Sequence, residues 1–320
     1  MPMTPEQIRL RQNPVLSNLL LGFGQGSYIA ERLFPRLPTA LRGFTLPRIG
    51  NERFQKYQLR RAPGAATKRI DIRYDGQVYT VDQYSVDVPI PRELIQENEA
   101  SARFNLTANL DISRIAMKTA SEVLLLDFEV EAATLALDAS AYPVSNVLAL
   151  TGAAKWSAVT GTPVTDIRNA ADAVRAKIGK RPNRLTLSTS VLRALEMSEQ
   201  IRGYFPSTHL GPATLADLTA ILGVDEIVVG DAVWRDGDGT ASDVWGNAAV
   251  LAYVPGLSGS SGDISLAEPA FGFTSVLEGH PFAEAPRYDP DTKTWVYGAT
   301  FERRATLVTP EAGFLFQNPV

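Results

Sequence analysis

Between positions 105 and 138, apolar residues recur at helical spacing along two adjacent lines. Ile112, Ile115, Thr119, Val123, Leu126, Val130, Ala133 and Leu137 follow the i, i+3, i+4, i+7 rule, and Leu110, Met117, Leu124, Phe128 and Leu135 form the second line. Arg114, Lys118, Glu122 and Glu129 share the opposite, polar side. The pattern predicts one helix over 105–138, about 50 Å long at roughly 1.5 Å per residue and clad on one side only. It lies in a run from Arg92 to Tyr142 with no glycine or proline, although the chain holds 24 and 21 of them.

Upstream the period changes to two, in Ile70-Asp71-Ile72-Arg73-Tyr74 and Val78-Tyr79-Thr80-Val81-Asp82. With Pro63-Gly64 and Asp75-Gly76 as turn signals, 44–91 is expected to be a long β-hairpin. Residues 1–47 read as an arm with a short helix, then held extended or turned by Pro35, Pro38 and Pro47. Downstream, short helices and strands alternate from 165 to 255. Thr165 is expected to open a helix with Ile167, Ala171, Val174 and Ile178 inward and Gly179 closing it. Strands are expected at 184–188, 225–230 and 248–254, and a helix at 214–222 stopped by Gly223. The segment 256–262, Gly-Leu-Ser-Gly-Ser-Ser-Gly, reads as a flexible connection, and 293–308 as a strand carrying Trp295, Tyr297 and Phe301.

Length and composition narrow the function. At 320 residues, 45% of them hydrophobic, the chain has enough apolar material for about two compact regions. The absence of cysteine removes disulfides, thiolate metal sites and thiol nucleophiles together. The first residues lack the build of a secretory signal, and the apolar run from Val15 to Phe23 is too short to span a bilayer. Synthesis in the cytoplasm and no membrane role are the expectations.

The net charge of -4 is small, but its distribution is uneven. Residues 48–75 carry Arg48, Arg53, Lys56, Arg60, Arg61, Lys68, Arg69 and Arg73 against Glu52, Asp71 and Asp75; residues 105–140 carry Asp111, Glu122, Asp127, Glu129, Glu131 and Asp138 against Arg114 and Lys118. A basic arm followed by an acidic helix suggests a subunit made to lie on other copies of itself. The residues expected to carry that contact are Arg60, Arg61, Lys68 and Arg69 on the arm and Glu122, Glu129 and Glu131 on the helix. Nucleic acid is the competing partner for the arm, with Phe54, Tyr57 and Tyr74 able to stack on bases, but it would gain nothing from the acidic helix.

Candidate chemistry is sparse. Gly22-Phe23-Gly24-Gln25-Gly26 has neither the dinucleotide spacing nor the Gly-Lys-Ser/Thr of a phosphate loop. Asp236-Gly237-Asp238-Gly239 followed by Asp243 lacks the sixth-position glycine and twelfth-position glutamate of a calcium loop, and reads as a hairpin turn. His209 and His280 are far apart in sequence, and the serines at 258, 260 and 261 do not complete Gly-x-Ser-x-Gly. No catalytic, cofactor-binding or metal-binding residue is assigned.

Three local words add a resemblance. Ile29-Ala30-Glu31-Arg32-Leu33-Phe34-Pro35 in the arm, Val250-Leu251-Ala252-Tyr253-Val254-Pro255 after the α/β piece, and Glu268-Pro269-Ala270-Phe271-Gly272-Phe273-Thr274 opening the β return stand in one order over nearly the whole chain. In that order they resemble the lambda-like coat family, major capsid proteins of tailed bacteriophages with the α+β Hong Kong 97-type fold. The resemblance implies that 1–47 is an N-terminal arm, 48–90 an extended loop and 150–257 an axial α/β domain. A peripheral domain is then formed by 91–149 and 258–320, with 105–138 as its spine helix. It further implies no enzymatic activity and no cofactor. Copies would form hexamers and pentamers that close into an icosahedral procapsid, assembled in the host cytoplasm, around packaged DNA contacted without sequence specificity. Other implied partners are a portal, a separate scaffolding protein (the chain has no long helical extension to serve as one) and, in some members, a decoration protein. Lys56, Lys68, Asn247 and Asn318 carry no motif that assigns them to a crosslink. Two alternatives stay open: a cargo-enclosing nanocompartment shell of the same fold, and a small-oligomer enzyme with a carboxylate site.

Overall fold

The computed structural model describes residues 28–49, 56–64, 66–69, 74–103, 111–205, 211–256 and 268–320. The chain enters through a short helix α1 (Ala30–Leu33), strand β1 (Arg36–Thr39) and strands β2 (Gly43–Ile49), β3 (Tyr74–Thr80) and β4 (Asp82–Pro91). Helices α2 (Arg92–Arg103) and α3 (Ile112–Leu137) follow, then β5 (Val147–Ala149), α4 (Pro163–Ile178) and β6 (Arg184–Ser188). Next come α5 (Thr189–Met197), α6 (Glu199–Arg202), α7 (Leu215–Leu222), β7 (Glu226–Gly230), β8 (Val233–Arg235), β9 (Ala241–Asp243) and β10 (Ala248–Ala252). The remaining strands are β11 (Gly272–Leu277), β12 (Phe282–Ala283), β13 (Arg287–Asp289), β14 (Thr294–Leu307) and β15 (Gly313–Gln317).

These elements make two sheets and two ribbons. The larger sheet is organised on β14, which pairs along its length with β4, from Thr294↔Pro91 to Arg303↔Asp82, and with β11, β12 and β13. The five-stranded sheet runs β5-β15-β10-β6-β7, with α4 packed on β10 and β15. The expected strands and helices of the α/β piece are present within a few residues, and Gly179 and Gly223 close α4 and α7 at φ 73° each. Helix α4 begins two residues before Thr165, at Pro163, whose missing N–H costs nothing in a first turn. The turn over 236–239 joins β8 to β9 as a hairpin, with Gly239 at φ +81°.

The long helix differs from expectation in extent and orientation. The Gly/Pro-free run holds two helices, and α3 spans 26 residues, about 39 Å at roughly 1.5 Å each. Asp111 caps α3, its side chain accepting from Arg114 N at 3.0 Å, so the helix starts at Ile112; residues 105–110 of the expected helix lie outside the described residues. Of the two expected apolar lines, Met117, Leu124 and Phe128 of the second are buried, but of the first only Ala133 is. Ala116, Ala120, Leu124, Phe128, Ala132 and Ala136 repeat every four positions against the sheet, flanked by Met117, Ser121, Glu129 and Ala133. Ile115 and Val123 are instead half exposed, at 50% and 48%. Alanine wins because α3 lies across β14 and β4, where only small side chains permit close approach of backbone to backbone. Phe128 packs there edge-on to Phe301 at 6.3 Å between ring centroids.

The expected hairpin over 44–91 is only partly a hairpin. β2 pairs with β3 from Gly43↔Thr80 to Ile49↔Tyr74, and Pro63-Gly64 forms a turn with Gly64 at φ +83°. Asp75-Gly76, expected as a turn, lies inside β3 opposite Arg48 and Pro47. β4 leaves the ribbon altogether and joins β14.

Candidate assembly interface

The basic residues stand on a loop carried outside both sheets. The root of the loop is fixed by Arg42, whose guanidinium forks onto Glu302 at 2.9 and 2.6 Å, and by Val81 N donating to Arg42 O at 2.9 Å. Phe44 and Tyr79 stack across the ribbon at 5.9 Å. Beyond it, Arg60, Arg61, Lys68 and Arg69 are all exposed. Arg61 Nη1 donates to Thr67 Oγ1 at 3.1 Å and the Lys68 ammonium lies 5.5 Å from the centroid of the Tyr57 ring. Among the described residues none of the four makes an ion pair. Leu41, Leu59 and Val78 on the same projection are 72%, 67% and 75% exposed. A segment this apolar and this cationic, anchored at its root and exposed among the described residues, has the composition of a contact surface.

The three acidic residues paired with the loop on sequence grounds meet three different environments. Glu122 is part-exposed on the outer face of α3, with Lys118 at 3.7 Å. Glu131 is turned toward the sheet, bonded to Arg303 and accepting Ala305 N at 3.4 Å. Glu129, expected on the wet face, is fully buried. Ile29 N donates to both its carboxylate oxygens at 3.0 Å, Ala30 N to Oε2 at 2.8 Å and Trp245 Nε1 to Oε1 at 2.6 Å. One carboxylate thus holds together the start of α1, the middle of α3 and the end of the five-stranded sheet. Gly230 makes room for this, because a Cβ there would stand 2.2 Å from the Trp245 ring. Glu129 therefore belongs to the interior and offers a neighbouring subunit nothing.

Burial pushes the Glu129 carboxyl above its ordinary value, opposed by the Ile29, Trp245 and Ala30 donors. A raised folded-state value means that the native chain holds this proton more tightly than the unfolded one. The contribution to stability is then complete below the unfolded value near 4.5 and is lost as pH rises through the raised folded value. Glu129→Gln should lack that slope, which then appears in the difference between the stability–pH curves of parent and variant measured by urea denaturation. Glu129→Ala should cost about 2 kcal/mol at neutral pH, because it strands buried donors; an unchanged urea midpoint would refute this role.

A second buried cluster had no signal in the sequence beyond an arginine in a strand. Arg303 of β14 is fully buried between α3 and the sheet. Its guanidinium pairs with Asp127 at 2.7 Å and with Glu131, and lies 4.0 Å from the Tyr84 ring centroid, 4.8 Å from Phe128 and 5.5 Å from Phe301. Two of the six acidic residues of the helix region, Asp127 and Glu131, are thus committed to the subunit's own sheet. Among the described residues no group of three or more histidine, aspartate or glutamate side chains has the spacing of a metal site, and no helix is long and apolar enough to cross a membrane.

With this geometry in view, the comparisons with known proteins are specific. No family model matches the chain. It is 30% identical over 304 residues to the major capsid protein of Burkholderia phage BcepMu, covering 95% of each chain. The major capsid protein of Pseudomonas phage JBD67 is 23% identical over 96% of this chain and 97% of its own. Among solved structures, a phage-related protein of Bordetella bronchiseptica RB50 superposes with a TM-score of 0.76 at 33% identity, over 96% of this chain and 97% of that one. The cyanophage P-SCSP1u capsid structure gives a TM-score of 0.56 at 12% identity, over 92% and 89% of the two chains, a likeness of fold. End-to-end similarity to phage coat proteins, a β14-centred sheet crossed by one long helix, and a loop projecting from both place this chain in the family of phage major capsid proteins, with the Hong Kong 97-type fold.

Proposed function

We propose that this capsid protein assembles as hexamers and pentamers into an icosahedral procapsid that encloses packaged double-stranded DNA. A scaffolding protein, a portal and, where the virion has one, a decoration protein are its partners, and assembly takes place in the host cytoplasm. In this reading the division of labour is an arm over 1–47, an extended loop over 48–90, a peripheral domain over 91–149 and 258–320 and an axial domain over 150–257. β15 complicates the last boundary, since its strand completes the five-stranded sheet of the α/β piece.

The observation that carries the proposal is the exposed basic loop, whose cations have no ionic partner among the described residues of their own chain. Its partner is the outer face of α3 on a neighbouring copy at Glu122, the one of the three expected acids left facing solvent without a commitment to the sheet. Exposed ion pairs contribute about 0–1 kcal/mol each and fade with salt. A contact made of a few such pairs forms reversibly, which lets a growing shell release a misplaced subunit, while many contacts per subunit hold the closed one. Negative-stain electron microscopy of the purified chain, alone and with a candidate scaffold, tests the proposal. Shells, or six- and five-membered rings, are expected; a uniform dimer or tetramer under every condition would overturn it.

A further inference from the structure

His280, in the turn between β11 and β12, stands behind the latch at the root of the basic loop. Its side chain is 8% exposed, with the Phe282 ring edge-on at 4.7 Å between centroids. Glu302 N donates to His280 Nδ1 at 3.1 Å, so that nitrogen carries no proton and the ring is neutral. Nε2 lies 3.9 Å from Glu302 Oε1, the oxygen that also accepts Arg42 Nη2 at 2.6 Å. The Glu302 side chain is 5% exposed, whereas that of Arg42 is 64% exposed. One enclosed carboxylate thus has an enclosed imidazole on one side and a wet guanidinium on the other.

A second proton on the ring disturbs this arrangement twice. It falls on Nδ1, where it opposes the Glu302 N–H instead of accepting it. It also places a second cation beside the carboxylate, and the two are unequal: the imidazolium is enclosed, while the guanidinium recovers its hydration by swinging outward at little cost. We propose that protonation of His280 takes Glu302 from Arg42 and unlatches the root of the basic loop, which is held at neutral pH and freed in mild acid. The charged groups acting on the ring are Glu302 of β14 and Arg42 just before β2. Glu278 of the same turn is exposed, and Arg303 and Arg304 of β14 are engaged by Asp127, Glu131 and Asp82. Burial holds the His280 pKa below its ordinary 6.5, Arg42 acts in the same direction, and Glu302 and the Thr300 backbone oppose them. With the root open the ring returns to its ordinary value. The closed root is therefore most favoured above 6.5, and that preference is lost as pH falls through the lowered value.

The Val81 amide reports on the latch, since it donates to Arg42 O. In the full-length, unassembled subunit, going from about pH 7.5 to about pH 5.5 should speed its hydrogen exchange several-fold after correction for intrinsic chemistry; one proton allows at most about tenfold per pH unit. The amides of β10 should stay protected over the same range, and their loosening in step with Val81 would make the acid effect global and sink the proposal. His280→Asn keeps a short acceptor but does not titrate, so exchange at Val81 should no longer respond to pH. Arg42→Gln leaves the His280 turn intact and should exchange fast at Val81 already at neutral pH. A parent indifferent to pH, a pH response that survives in His280→Asn, or a Val81 amide still protected in Arg42→Gln would each overturn the proposal. Because unassembled subunits are used, the result is independent of whether the chain builds shells.

Discussion

Reversing the loop charges in the quadruple variant R60E/R61E/K68E/R69E is expected to yield a folded subunit that builds no shells. The four cations make no ion pair among the described residues of their own chain, and they stand clear of both sheets. Replacing them therefore costs the isolated fold little, and its circular dichroism melt should match that of the unmodified chain. Assembly is another matter. Reversing the charges opposite Glu122 turns an attraction of about 0.5 kcal/mol into a repulsion of similar size, a loss on the order of 1 kcal/mol per contact. That loss recurs at every copy, and multivalent closure multiplies it. Light scattering and negative-stain microscopy give the readout, and normal shells from the quadruple variant would sink the loop contact. Glu122→Lys in the same background should restore part of the assembly, which a merely misfolded loop would not allow. For the unmodified chain, raising salt should delay the onset of assembly, since screening shortens the reach of exposed charges to about 8 Å at 0.15 M.

Arg303→Ala is expected to be the most damaging single substitution to the fold, by about 3 kcal/mol. Removing one member of a buried charge cluster costs about 3–5 kcal/mol when the other members stay buried. Here Asp127 is half exposed, with 54% of its side chain accessible, and can recover water, so the lower end applies. The remaining cost falls on Glu131 and on the packing of the guanidinium against Tyr84 and Phe128. Arg303→Met separates the two causes. It refills the space between α3 and β14 and should recover about half of the loss, leaving the carboxylates unpaired. Urea midpoints of the three proteins decide it; equal stability of the alanine variant and the parent would mean that the cluster holds nothing together.

The elements of the α/β piece were legible because each is bounded by a local signal, as at Gly179 and Gly223, where only a left-handed backbone ends the helix. Helix α3 was legible as a helix, and Met117, Leu124 and Phe128 of its second expected apolar line are buried, but the first line is mostly not. Hydrophobic periodicity assumes that large apolar residues go inward, whereas α3 buries Ala116, Ala120, Ala132 and Ala136 and leaves Ile115 and Val123 half exposed. The same assumption put Glu129 on the wet face beside Glu122, seven positions away and therefore on the same side of an ideal helix. What buries it is Trp245, more than a hundred residues downstream, and no local pattern carries that pairing. The basic loop was legible as a charge run, and its exposure agrees with that. Of the acids expected to meet it, only Glu122 could be matched, because the commitments of Glu129 and Glu131 are tertiary.

The position of β15 bears on the timing of folding. Residues 313–317 lie between the edge strand β5 and β10, so the five-stranded sheet cannot take in β5 until the ribosome has made position 317. Asn146 is bonded to Gly313 O at 2.7 Å and Trp156 N to Pro319 O at 2.7 Å, which ties the middle of the chain to both flanks of β15 as well. Such long-range closure is slow compared with local helix formation. A chain cut before position 313 therefore leaves β5 and the outer edge of β10 unpaired, and only a chain that reaches 317 can present the five-stranded sheet whole.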